Sequence, residues 1–143
     1  MKLEELYAQI KEDFPIDSGD LLGETTKTQQ LWVKYIQLYS SEKLRLEKMY
    51  SSRASLISKL REYYSGNALP EVYKQKPYNG IIPKTENGLM KLVENDQELI
   101  NYDDATLVQK QKVYVLEEYV KECKQRGYSI ANAISYTKFL NGG

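Results

Sequence analysis

The 143-residue chain balances 20 basic against 20 acidic residues, so any affinity for polyanions must come from where the cations sit rather than from their number. It has no histidine and one cysteine, Cys123, which removes the usual zinc sites, the Ser-His and Cys-His catalytic pairs and any disulfide within the chain. Phosphate-cradling glycine loops are absent from the sequence, and no apolar run approaches the roughly 20 residues that span a bilayer.

These exclusions lead to the expectation of a soluble, intracellular, non-enzymatic protein with no catalytic residue, metal or cofactor. Asp103-Asp104 and Glu117-Glu118 are adjacent acids that read as a cap and a helix surface rather than as catalytic pairs. Cys123 reads as a plain packing or surface thiol. The 13 tyrosines against 2 phenylalanines and 1 tryptophan suit wet interfaces, helix seams and base stacking alike.

In chain order, Leu3, Leu6, Tyr7 and Ile10 recur at helical spacing, and the spacing predicts a short amphipathic helix over 2–12, ended by Pro15. Ile16-Asp17-Ser18 offers the next N-cap. From about Asp20 to Tyr64 there is no proline, and the one glycine, Gly23, falls in the first turn. A continuous or gently bent helix of about 68 Å is expected there. A single break near Tyr39-Ser40-Ser41 is the alternative. Tyr64-Ser65-Gly66 reads as a helix stop.

Residues 67–87, with Pro70, Pro77, Pro83 and Gly80, read as an irregular connector. A short helix is predicted over 87–99, with Leu89, Leu92 and Val93 on one face. Asp103 or Asp104 then caps a helix running to Arg126, with a stripe of Leu107, Lys110, Val113, Tyr114, Leu116 and Val120. Gly127 ends it, and Lys124 and Arg126 suit its dipole. A last helix over 129–140 turns Ile130, Ile134 and Phe139 inward. No strand signal and no internal repeat stands out.

The charge is unevenly spread. Residues 1–24 carry seven acids and two bases, residues 34–61 seven bases and two acids, and residues 84–104 six acids and two bases. At about 100° per residue, Lys34, Arg45, Lys48 and Lys59 fall within roughly 60° of one another, with Ser41 and Ser52 on the same strip. The apolar face lies about 110° away. Cations fixed along a rod release the counterions of a phosphate backbone, serines donate to phosphate oxygens, and Tyr39, Tyr50 and Tyr63 offer rings to unstacked bases. The competing reading is a solvated face, or a scaffold whose basic face meets an acidic protein partner. Glu42 and Arg53 project from the apolar face, where unpaired charge is costly, and pairing between subunits is one way to satisfy them.

The order Leu3-Glu4-Glu5-Leu6, Ile16-Asp17-Ser18, a long Trp- and Tyr-bearing helix, Leu60-Arg61-Glu62-Tyr63-Tyr64-Ser65-Gly66 and Arg126-Gly127-Tyr128-Ser129-Ile130 resembles the UvsY family, the recombination mediators of T-even-type phages. The resemblance runs almost end to end and is loosest after Gly66. It implies a phage protein of the host cytoplasm that binds single-stranded DNA and forms a ring-like homo-oligomer, a hexamer or heptamer. It also implies a role in helping a UvsX-like recombinase nucleate filaments on strands coated by single-strand-binding protein. The family's basic-x-basic element appears as Lys59-Leu60-Arg61, one residue nearer the tyrosines. That shift turns a side chain by about 100° and ranks Lys59, on the basic strip, above Arg61.

The expected fold is all-α, a long N-terminal helix followed by a smaller C-terminal helical region. Residues 1–66 form the DNA-binding region, 67–87 the connector and 88–143 the oligomerisation region. The candidate DNA-binding residues are Lys34, Arg45, Lys48, Lys59, Arg61 and Tyr63. By the resemblance, self-assembly falls to Leu107, Tyr114, Val120, Ile134 and Phe139.

Overall fold

In the computed structural model, which describes residues 1–142, the chain forms five α-helices and, among the described residues, no strand. Helix α1 spans Leu3–Asp13. Its start is held by the Lys2 N–H donating to the Glu5 carboxylate at 3.1 Å, and Pro15 lies just beyond its end. The turn that follows closes on Asp17, whose carboxylate accepts from the Gly19 N–H at 2.9 Å.

Helix α2 spans Leu21–Tyr64 without a break at Ser40-Ser41. Its cap is Asp20 rather than the predicted Ile16-Asp17-Ser18: the Asp20 carboxylate accepts from the Gly23 N–H at 3.1 Å. At the other end Gly66 takes φ +79°, and the Asn67 N–H returns to the Glu62 carbonyl at 2.9 Å. That is the left-handed glycine ending expected of Tyr-Tyr-Ser-Gly. A side chain there would be strained in φ and would also meet Ile82 at 2.9 Å.

Residues 67–87 are not wholly irregular, because Pro70–Gln75 forms the short helix α3 with its proline at the first position, where no N–H is needed. Helix α4 spans Glu86–Glu94 and is capped by the Thr85 hydroxyl accepting from the Gly88 N–H at 3.1 Å. Helix α5 runs from Gln97 to Leu140 in one piece. Its cap is Asp96, whose carboxylate accepts from the Glu98 N–H at 2.8 Å, not Asp103 or Asp104.

The predicted stop at Gly127 does not occur either. Cys123, Arg126 and Ile130 are all buried on one face of α5, spanning the glycine. Burying Ile130 is worth about 1.5–3 kcal/mol, more than the roughly 1 kcal/mol that a helical glycine costs.

Packing divides the chain into two compact units, and not in residue order as 1–66, 67–87 and 88–143. The first unit is Met1–Leu44 together with the chain from Val108 onward, and the second is Arg45–Leu107. In the first, Leu6 and Ile10 of α1, Leu31 and Tyr35 of α2, and Val115, Leu116 and Cys123 of α5 form one core. Phe14 sets its ring edge-on to both Tyr35 and Tyr119. Arg126, 3% exposed, ties the unit together. It donates to the carbonyls of Phe14, Pro15 and Glu24, to the Thr28 hydroxyl and to the Glu24 carboxylate. Arg126 is therefore a core ion-pair residue rather than a helix-terminal cation.

The second unit packs Leu60 of α2, Val93 of α4 and Leu99 of α5, flanked by Leu56, Ile57, Tyr64 and Leu89. The connector folds onto it through tyrosines. Tyr63 stacks on Tyr73 and meets Tyr64 edge-on, and Tyr78 contacts both Tyr63 and Tyr64. Each ring's hydroxyl donates within the unit: Tyr63 to the Pro77 carbonyl, Tyr64 to Asp96, Tyr73 to the Tyr63 carbonyl and Tyr78 to the Ile81 carbonyl.

Candidate nucleic-acid interface

Within the second unit α2 presents Arg45, Lys48 and Lys59, all exposed. Over the roughly 21 Å of helix that separates Arg45 from Lys59, they fall within about 60° of one another, and the exposed Ser52 lies between them. None of the three has a carboxylate or any hydrogen-bond partner among the described residues. A phosphate arriving there displaces water and counterions, with no ion pair to break first.

The other sequence candidates differ. Lys34, in the first unit, is paired with Asp13 at 2.6 Å, and the same carboxylate accepts from the Tyr35 hydroxyl at 3.0 Å. Burial and that carboxylate together push the Tyr35 hydroxyl well above the usual tyrosine range. Arg61 is paired with Glu86 at 2.6 Å and also donates to the Met90 sulfur. The pairing holds the Glu86 carboxyl below its ordinary value. Both cations are held within the chain.

Tyr63 does not offer a ring to a base. It is 6% exposed and enclosed by Tyr64, Tyr73 and Tyr78. Tyr50 lies on α2 at roughly 170° from the basic strip, so one strand cannot follow the cations and stack on that ring at once, and Tyr39 belongs to the first unit. Four of the 13 tyrosines thus serve to fold the connector onto the end of α2.

Glu42 and Arg53 find their partners inside the chain rather than between subunits. Glu42 accepts from Gln109 at 2.6 Å and pairs with Lys112 at 3.6 Å within the first unit. Arg53 makes a two-pronged bond to Asp103, at 2.8 and 3.0 Å, within the second. The bonds from Arg53 hold the Asp103 carboxyl below its ordinary value.

Two cations escaped the sequence reading. Lys76 pairs with Asp96 at 3.7 Å and lies 5.1 Å from the centre of the Tyr63 ring. With Lys59 it lines one cleft of the second unit. Only the fold of the connector brings it there, so no spacing rule could have found it. Lys27, half-buried in the first unit, lies two helical turns before Lys34 on α2, and carrying the wheel that far back finds it.

The self-assembly candidates split by exposure. Leu107, Tyr114 and Phe139 are exposed at 63%, 56% and 78%. On the wheel Tyr114 and Phe139, both in the first unit, lie within about 20° of one another and roughly opposite the buried Leu116. Phe139 therefore faces outward, not inward as its spacing from Ile130 implied. Leu107 and Tyr114 do not share a face with Val113 and Leu116, which are buried. Val120 and Ile134 are half-buried, and Val120 packs on the core of the first unit.

Cys123 is 2% exposed, and burial pushes its thiol up, so it is a core residue. Among the described residues no three or more Cys, Asp or Glu side chains gather as metal ligands would, and no helix is long and apolar enough to cross a membrane.

Comparison with known proteins gives concordant results. No curated protein sequence matches the chain. Crystal structures of the bacteriophage T4 recombination mediator protein UvsY match it along nearly their whole length. One is 20% identical with a TM-score of 0.79, covering 100% of this chain and 99% of that one. A second lattice form is 20% identical at 0.77, covering 97% and 98%, and a third 18% identical at 0.78, covering 94% and 98%. A family model, described as recombination, repair and ssDNA binding protein UvsY, matches residues 9–143. With all but its first eight residues inside that match and the same helical fold around it, the chain belongs to the UvsY family.

Proposed function

We propose that the chain is a recombination mediator that binds single-stranded DNA along Arg45, Lys48 and Lys59. The observation that supports this most is the division among the cations of α2. Lys34, Arg53 and Arg61 are each taken by a carboxylate of their own unit, whereas the three on the strip have none among the described residues. The family description points the same way. Lys34 and Arg61 rank second, because each must exchange a carboxylate for a phosphate.

Self-assembly would use the exposed side chains of Leu107, Tyr114 and Phe139, with Val120 and Ile134 contributing from half-buried positions. A ring-like hexamer or heptamer would repeat the strip around one strand, so that many weak contacts act together without reading bases. The mediator would present that strand, in the host cytoplasm, to a UvsX-like recombinase in competition with single-strand-binding protein.

Salt-titrated binding to a fluorescent oligothymidine tests the reading. Single strands lose affinity with a slope of about 0.7 in log salt for each phosphate contacted. The double variant Lys48→Gln/Lys59→Gln should lower that slope by about 1.4 per subunit engaged. No binding by the unaltered chain at low salt would leave a scaffold with an acidic protein partner as the better account.

A further inference from the structure

We infer that the cleft of the second unit beside Lys59 holds one nucleotide of the bound strand, with its phosphate on Lys59 and Lys76 and its base against Leu69 and Val72. The cleft has a volume of about 470 Å³, within the range of small-ligand sites. Lys59 belongs both to the unpaired strip and to the lining of this cleft, so a strand that follows the strip ends at its mouth. Lys76 adds a second cation, with 59% of its side chain exposed, a long 3.7 Å contact to Asp96 and the face of the Tyr63 ring at 5.1 Å.

The walls favour a base over a run of phosphates. Leu69 is 71% and Val72 40% exposed, an apolar surface that nothing in the second unit covers. Glu62 and Glu98 line the same cleft. Two carboxylates repel a second and third phosphate, yet they accept hydrogen bonds from a base edge. One phosphate with its base is the ligand that two lysines, two carboxylates and an aliphatic wall suit together.

This inference rests on the single-strand reading above, and its test separates the two. Full-length protein is titrated with fluorescent oligothymidine and with the same oligonucleotide made abasic, each across a salt series. Lys76→Gln should lower the salt slope by about 0.7 for each subunit engaged, and Lys76→Arg should restore it. Leu69→Gln should leave the slope unchanged but weaken oligothymidine binding by roughly threefold or more, while leaving abasic binding as it was. Thermal melts of each variant separate loss of contact from loss of fold, and Leu69 is exposed enough to change without unfolding the unit.

If Lys48→Gln lowers the slope while Lys76→Gln and Leu69→Gln match the unaltered chain on both probes, the strip stands and the cleft assignment falls. If the unaltered chain binds neither probe, both fall.

Discussion

The first unit encloses an ion pair in its core, whereas the second carries a line of three exposed cations on α2 that no carboxylate meets among the described residues. Arg126 and Glu24 are 3% and 8% exposed and meet inside the first unit, where the guanidinium also satisfies three carbonyls and a hydroxyl. Arg45, Lys48 and Lys59, all on the stretch of α2 that belongs to the second unit, have no such enclosure. The two kinds of cation look alike in composition, and the net charge of zero conceals both. Charge that is buried and paired resists removal, whereas charge that is exposed and unpaired is available to a ligand.

Breaking the buried side of that comparison should have the largest effect. Arg126→Ala leaves the Glu24 carboxylate buried without its partner and should lower the free energy of unfolding by about 3–5 kcal/mol, read by urea denaturation.

The second unit has its own anchored acid. Asp96 is 4% exposed and accepts from Tyr64 at 2.6 Å. Burial pushes its carboxyl up, but the Tyr64 hydroxyl, the Glu98 and Leu99 N–H groups and Lys76 outweigh that and hold it below the ordinary 3.8. A carboxyl depressed in the folded state adds stability above its unfolded value and loses it as pH falls through the folded one. Tyr64→Phe should therefore cost about 1–3 kcal/mol at neutral pH. Thermal melts below about pH 4 should show the Asp96 share disappearing, and Asp96→Asn should flatten that acid limb.

The smallest changes sharpen the contrast. Asp103→Asn cuts an ion pair whose side chains are 41% and 43% exposed, and it should cost no more than about 1 kcal/mol. Lys48→Gln with Lys59→Gln should shift stability by less than about 0.5 kcal/mol, even though it removes the proposed strand contacts. A large loss of stability in that double variant would mean the strip is part of the fold, and the comparison would fail.

Much of this architecture is legible in the residues. The long α2 follows from 44 residues without proline, and its end from Tyr64-Ser65-Gly66. The basic strip follows from 100° periodicity alone. What could not be read depends on partners distant in sequence. Gly127 looks like a stop until Arg126 and Ile130 are seen buried beside it. Tyr63 looks like a stacking platform until Tyr73 and Tyr78 of the connector fold over it. Lys34 and Arg61 look as free as Lys48, and Arg53 looks like one half of a pair between subunits, because Asp13, Glu86 and Asp103 lie 21, 25 and 50 residues away. Periodicity fixes which face a side chain occupies, but it does not say what that face will meet.

The interleaving of the first unit has a kinetic consequence. The second unit is one unbroken stretch, so its contacts can form as soon as residues 45–107 collapse. The first unit must join Phe14 to Arg126, 112 positions apart, before its core is complete. Loop-closure entropy makes such distant joins late. During synthesis the amino-terminal helices therefore wait, with Leu6, Leu31 and Tyr35 uncovered, until the last third of the chain has emerged to enclose them.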